Sequence, residues 1–274
     1  MSDSNQTPAT SDDTNGGEMT TRDAIREQIV TLVLAVVIAL LIRAMIVEPF
    51  RIPSGSMFPT LLIGDHLFVN KFLYGAKIPF TDYRLPGLRE PERGDVVVFE
   101  VARVSNGDPN SNIVPADRRP DASREDFVKR IVGMPGDRIE VRDNKLYVNH
   151  ERVEKVRLEG AFIDDEGAAL DPYSEILGDC VHGALDDPHK LGLMRTPFVV
   201  EPDRYFMMGD NRDNSNDSRQ WGTVRLDEFK GPAFIIYWSW ASDGNFFQLL
   251  NPVNWFTVEK RWGRVFSRIG CDSI

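Results

Sequence analysis

The chain has 274 residues, 42% hydrophobic and 10% aromatic, which is apolar surface for one sizeable core or two small ones sharing a wall. A formal net charge of −10 excludes nucleic acid as a partner, because phosphate binding needs clustered Lys and Arg and here the basic residues are interspersed with acids. Two cysteines, Cys180 and Cys271, and four histidines, His66, His150, His182 and His189, show no zinc-ligand spacing, so no metal and no cofactor is expected.

Residues 1 to about 20 are rich in Ser, Thr, Asn, Asp and Gly and cannot repay the entropy of ordering, so they read as a disordered tail that extends toward residue 27. From Ile29 to Val47 the chain is apolar except for Thr31 and Arg43. At about 1.5 Å per residue that run reaches roughly 28 Å, the thickness of a bilayer's hydrocarbon, and it predicts a spanning helix over 28–47 with Arg43 snorkelling near one end. A cleaved leader is a poorer reading, since the run is long and no small-x-small site follows it. Orientation is left open by charge, because Arg22 and Arg26 before the span are balanced by Arg43 and Arg51.

Pro49 and Pro53 then bias Glu48 and Ile52 toward extended backbone. Ser56 follows nine residues after Val47, at most roughly 30 Å away, so a reactive hydroxyl there stays near the bilayer. Gly55 frees the backbone for a tight turn that can aim the Ser56 amide at an oxyanion. Taken alone, Ser54-Gly55-Ser56 reads equally as a plain surface turn. Beyond it, short runs broken by Gly and Pro predict strands at 66–69, 95–101, 127–132, 138–141, 145–148, 198–200, 205–208 and 232–240. The fold class is therefore mainly β: an antiparallel catalytic domain over 48–274 with its core in 50–69, 94–101, 127–141 and 205–240, and a second β subdomain inserted over about 142–204. Arg103–Glu125 and Glu159–Lys190 lack periodicity and read as loops.

A serine nucleophile needs a base, and the chain offers no Gly-x-Ser-x-Gly elbow, no Ser-x-x-Lys pair and no convincing histidine constellation. In Phe127-Val128-Lys129-Arg130-Ile131-Val132 a period of two puts Phe127, Lys129 and Ile131 on one face, so Lys129 sits between large apolar side chains that disfavour its ammonium form. The competing reading is an edge-strand lysine with its head in water. Gly133-Met134-Pro135-Gly136-Asp137 is a turn that ends this strand. In Gly209-Asp210-Asn211-Arg212-Asp213-Asn214-Ser215-Asn216-Asp217-Ser218-Arg219, Asp217 and Arg219 can form an ion pair and Ser215 can orient a neutral lysine; a solvated loop with Asx turns is the bland alternative.

These three stretches together resemble bacterial type I signal peptidase, from about Glu48 to Gly222, with a weaker echo in Phe266-Ser267-Arg268-Ile269-Gly270. The resemblance implies Ser56 as nucleophile, Lys129 as general base, and the Ser54 hydroxyl joining the Ser56 amide in an oxyanion hole. It implies that Ser215 positions the lysine and that Asp217 with Arg219 is a structural ion pair. It places Phe50, Ile52, Met57, Leu61, Leu67, Phe127 and Val128 along shallow S1 and S3 pockets, selecting small residues such as Ala at P1 and P3. It implies an endopeptidase that removes signal peptides from preproteins, held single-pass in the cytoplasmic membrane with its catalytic domain on the extracytoplasmic side. Members often carry two spanning helices, and this chain has one candidate. A maturation peptidase of a conjugation or pilus system would share the dyad, and a non-catalytic anchored β-domain that binds exported polypeptides is the alternative from another class. In an exported domain Cys180 and Cys271 can also cross-link, though spacing gives no warrant for it. The aromatic run Phe234, Tyr237, Trp238, Trp240, with Phe246, Phe247, Trp255, Phe256 and Trp262 after it, reads either as core or as a surface resting on membrane lipid.

Overall fold

A computed structural model describes residues 21–78, 81, 83–104, 113–142, 144–190, 192–193, 195–241 and 258–273. The expected tail over residues 1–20 and the aromatics Phe246, Phe247, Trp255 and Phe256 lie outside these, as does the side chain of Arg43. The chain divides into two compact units, 1–42 and 43–274.

The first unit carries most of one helix, α1, over Thr21–Met45. Its aliphatic side chains from Ile29 to Leu40, including Leu32, Leu34, Val37 and Ile38, are exposed, and Thr31 returns its hydroxyl to the Glu27 carbonyl at 2.9 Å. Among the described residues, no helix is long and apolar enough to cross a membrane.

The second unit is antiparallel β throughout its named strand pairs. In chain order the strands are β1 Val47–Arg51, β2 Asp65–Asn70, β3 Val96–Arg103, β4 Ile113–Pro115, β5 Ser123–Gly133 and β6 Arg138–Arg142. There follow β7 Lys145–Val148, β8 Glu151–Arg152, β9 Glu154–Arg157, β10 Phe162–Ile163, β11 Ala169–Leu177 and β12 Cys180–Asp186. The last are β13 Arg195–Val199, β14 Arg204–Met208, β15 Val224–Arg225, β16 Phe229–Ser239 and β17 Asp272–Ser273. The largest sheet runs β1-β2-β16-β3-β5-β14-β15, with β4 beside β3; smaller sheets run β10-β11-β12-β17, with β9 beside β11, and β13-β6-β7-β8.

The long strands follow the period-two pattern that their sequences display. On β3, Val97, Phe99 and Val101 enter one apolar cluster with Ile131, Met207 and Phe229, while Val96 and Val98 enter another with Met57, Leu61 and Leu67. The turn after β5 is closed by Asp137, whose carboxylate accepts from Met134 N at 2.6 Å while its own N–H donates to Met134 O at 3.0 Å.

Two expectations change. Glu159–Lys190 is no loop, because β11 and β12 form a hairpin in register from Asp171 opposite Asp186 to Leu177 opposite Cys180. Its strands hide from a hydropathy pattern since the side chains facing inward include Glu175 and His182, paired across the ladder and both buried. Within 103–125, the described part forms β4 and the start of β5, whose residues Ser123–Asp126 are too polar and exposed to read as strand. Cys180 and Cys271 are joined by a disulfide that ties the chain after β16 to β12.

Candidate active site

Ser56 lies in a single 3-10 turn, Gly55–Met57, between β1 and β2. The turn's glycine is required for space and not for a left-handed backbone: a Cβ at Gly55 would meet the Phe58 ring at 2.6 Å. Two bonds reach the turn from a loop 156 residues beyond Gly55, with Asn211 Nδ2 donating to Gly55 O at 3.0 Å and Asn211 N donating to Ser56 O at 3.2 Å. Gly209 closes the contact, since a Cβ there would lie 2.5 Å from Ser56 O and 2.3 Å from Ser215 Oγ.

Lys129 sits on β5 opposite Val97 of β3, between Phe127 and Ile131, which share one apolar cluster. Its Nζ is 2.7 Å from Ser56 Oγ, donates to Val128 O at 2.9 Å and stands 5.3 Å from the centre of the Phe127 ring. The side chain is buried, and desolvation pushes its pKa down to about 8. Asp217 and Asp210 pull it back up and Arg219 pushes it down, but burial prevails.

The carboxylates stay weak as counter-charges because each already has an arginine. Arg219 Nε and Nη2 grip both oxygens of Asp217 at 2.8 Å, and Arg130 Nε and Nη2 grip Asp210 at 2.8 and 2.7 Å, all four side chains buried. Burial pushes both acids up, yet their arginines outweigh it and hold each below the usual carboxylate range. A third pair, Arg212 with Glu175, adds His182 Nε2 at 3.4 Å from Glu175 and His182 Nδ1 at 3.5 Å from Asp210. Arg212 Nε also donates to Gly209 O at 3.2 Å, and Thr60 Oγ1 donates to Asp210 Oδ2 at 2.6 Å.

A cleft of about 550 Å³ opens over this assembly, lined by Ser54 and Ser56, by residues 125–129 of β5, and by 213–216. Of the residues expected to shape substrate pockets, Phe127 and Val128 line it. Met57, Leu61, Leu67 and Ile52 are buried in the core cluster behind Val128, and Phe50 is half-buried against that cluster. Ser54 is exposed at the cleft. Ser215 is buried, and its hydroxyl makes no hydrogen bond of good geometry, although it lies close enough to Asp217 to help hold that acid down. Among the described residues no group of His, Cys, Asp and Glu is arranged to hold a metal ion.

Sequence reasoning passed over Arg130, Asp210, Asn211 and Thr60. A signal existed: Arg130 follows Lys129 in a strand, so it faces the other way, between Val128 and Val132 on that face, and a buried arginine demands a buried carboxylate.

Residues 25–238 match the family model described as "Signal peptidase, peptidase S26". The chain is 39% identical over 215 residues to a signal peptidase I of Pseudomonas fluorescens, covering 74% of this chain and 69% of that one. It is 30% identical over 275 residues to a signal peptidase I of Rickettsia typhi, covering 91% and 96%. A crystal structure of a signal peptidase I from Enterococcus faecalis is 22% identical over 53% of this chain and 98% of that one, with a TM-score of 0.29, too low to carry weight. With the family model covering most of the chain and relatives of this identity over most of their own lengths, the chain belongs to the signal peptidase family, peptidase S26, as a hydrolase of the signal peptidase I kind.

Proposed function

We propose that this chain cleaves signal peptides from exported preproteins with Ser56 as nucleophile and Lys129 as general base. The observation that carries this is the 2.7 Å approach of Lys129 Nζ to Ser56 Oγ with the amine buried. A neutral amine has two N–H groups and one lone pair; with an N–H given to Val128 O, the lone pair is free to face the serine hydroxyl. Lys129 takes the proton as Ser56 Oγ adds to the scissile carbonyl, and returns it to the leaving amine as the tetrahedral intermediate collapses to an acyl-enzyme. Water, deprotonated by the same amine, adds to the ester, and its collapse restores Ser56. The Ser56 amide and the Ser54 hydroxyl are the donors assigned to the oxyanion. Preference for small residues at P1 and P3 is assigned to the apolar wall beside the dyad, Phe127 and Val128.

α1 is assigned as the membrane anchor, with the domain that follows on the extracytoplasmic side. What supports this is the exposed aliphatic stretch Ile29–Leu40, continued in sequence by Leu41, Ile42, Ala44, Met45, Ile46 and Val47. Exposed Phe234, Trp262 and Phe266 support a lipid contact of the domain itself.

The test is preprotein cleavage by detergent-solubilised protein. Ser56→Ala and Lys129→Ala should each abolish it, and Lys129→Arg as well, because a guanidinium holds its proton at working pH. A tenth of the parent rate in any of the three would sink the dyad.

A further inference from the structure

We infer that Asn211 is a positioning residue that presets the oxyanion donor through the plane of one peptide bond, an inference that rests on the Ser56 assignment above. A three-residue 3-10 turn cannot fix its own orientation, since one turn orders several dihedrals for one or two hydrogen bonds. This turn has Phe58 N donating to Gly55 O at 3.1 Å, and Ser54 supplies no side-chain cap. Leu61 N donates to Met57 O at 2.9 Å and Lys129 Nζ meets the Ser56 side chain, but the two carbonyls that flank the catalytic peptide units, Gly55 O and Ser56 O, are reached from outside the turn by Asn211.

Those two anchors do different things. The backbone N–H of Asn211 holds Ser56 O and would remain in any side-chain variant. The side-chain amide holds Gly55 O, and the Gly55 carbonyl shares a rigid plane with the Ser56 N–H, the two pointing in opposite directions across a trans peptide. Fixing the one therefore aims the other. Asn211 is 1% exposed and is absent from the cleft wall, so it acts on the turn and not on a substrate. It is held from behind as well: its neighbour Asp210 is clamped by Arg130, and Asp210 O accepts from Leu185 N of β12 at 2.8 Å. The amide thus projects from a fixed base.

Oxyanion stabilisation is felt in the transition state alone, so loss of the amide should lower kcat and leave KM nearly unchanged. Deleting a donor outright costs about 10²–10³ in kcat; loosening its aim should cost roughly tenfold to a hundredfold. Asn211→Asp keeps the shape but sets a carboxylate against a carbonyl oxygen, so it should be at least as slow as Asn211→Ala.

The experiment measures kcat, KM and the pH dependence of kcat/KM for the full chain and for Asn211→Ala and Asn211→Asp on one preprotein, with thermal melts and a Ser56→Ala control. Expected are a kcat loss in the stated range for Ala, an equal or larger one for Asp, KM within about threefold, an acid limb at unchanged pH, and a cooperative melt. An unchanged kcat, a KM effect alone, a milder Asp variant or a shifted acid limb overturns the assignment. So does loss of the cooperative melt in both variants, which would make Asn211 a residue of the fold. Activity surviving in the Ser56→Ala control would instead break the reading beneath it.

Discussion

A surface lysine is a cation throughout the working range of an enzyme, and Lys129 differs because its neighbours withhold both water and unspent negative charge. The closest acids, Asp210 and Asp217, are each occupied by a guanidinium, so burial pushes the amine down to about 8. kcat/KM should accordingly rise with pH and level off above about 8. In Arg219→Met, Asp217 is released to pull on the lysine and the push from Arg219 is lost, so the acid limb should move to higher pH; a limb that stays in place would show that Arg219 does not set it. The same burial costs stability. In the unfolded chain the amine returns to 10.5, so the native state carries a penalty of ~3 kcal/mol below about pH 8, which fades as pH rises toward 10.5. Lys129→Met should therefore be inactive yet up to ~3 kcal/mol more stable than the parent at pH 7, with the difference vanishing near pH 10.5. Urea melts at the two pH values decide it, and equal stability at pH 7 would refute the account.

Among the elements, β5 and the β11–β12 hairpin show what a sequence pattern carries. Phe127, Lys129 and Ile131 share a face because a strand alternates, and that much was legible before any coordinates. The polar half of the same strand, Ser123–Asp126, was not, since its pairing with Ala102 and its neighbours on β3 is a property of register and not of hydropathy. The hairpin was misread for a related reason. Its buried side chains include Glu175 and His182, whose partners Arg212 (for Glu175) and Asp210 (for His182) lie far along the chain, and a polar residue satisfied at long range looks like a surface residue in sequence. Glu175 carries a definite expectation. Burial pushes its carboxyl up, yet Arg212 and His182 hold it below the usual range. Glu175→Ala strands a buried guanidinium, at a cost of about 3–5 kcal/mol, and loosens the Arg212 that steadies Gly209 O beside Ser56. Denaturant melts of this variant should show that loss together with slower cleavage; a loss below about 1 kcal/mol would mean that Arg212 finds water or another acid.

Across the whole molecule, the Cys180–Cys271 bond spans 91 positions and rests against Gly94, whose carbonyl accepts from Arg130 at 2.7 Å. Replacing both cysteines with serine should lower the free energy of unfolding by about 2–5 kcal/mol, read as a fall in the urea midpoint that dithiothreitol reproduces in the parent protein. Coincident midpoints would show that the bond is incidental. The late residues do more than close this link. Arg264 donates to Thr60 O at 2.8 Å and pairs with Asp65, and Arg261 donates to Ile63 O at 2.8 Å, so the segment directly after Ser56 is pinned by side chains about two hundred residues downstream. At roughly 5–20 residues per second a ribosome delivers Ser56 some tens of seconds before it delivers Arg264. Through that interval the carbonyls of Thr60 and Ile63 lack their arginine donors, while Asn211, the clamp on the Ser56 turn, has already been delivered. The segment that follows Ser56 thus receives its last anchors only when synthesis has passed both arginines, long after Ser56 and Lys129 themselves are made.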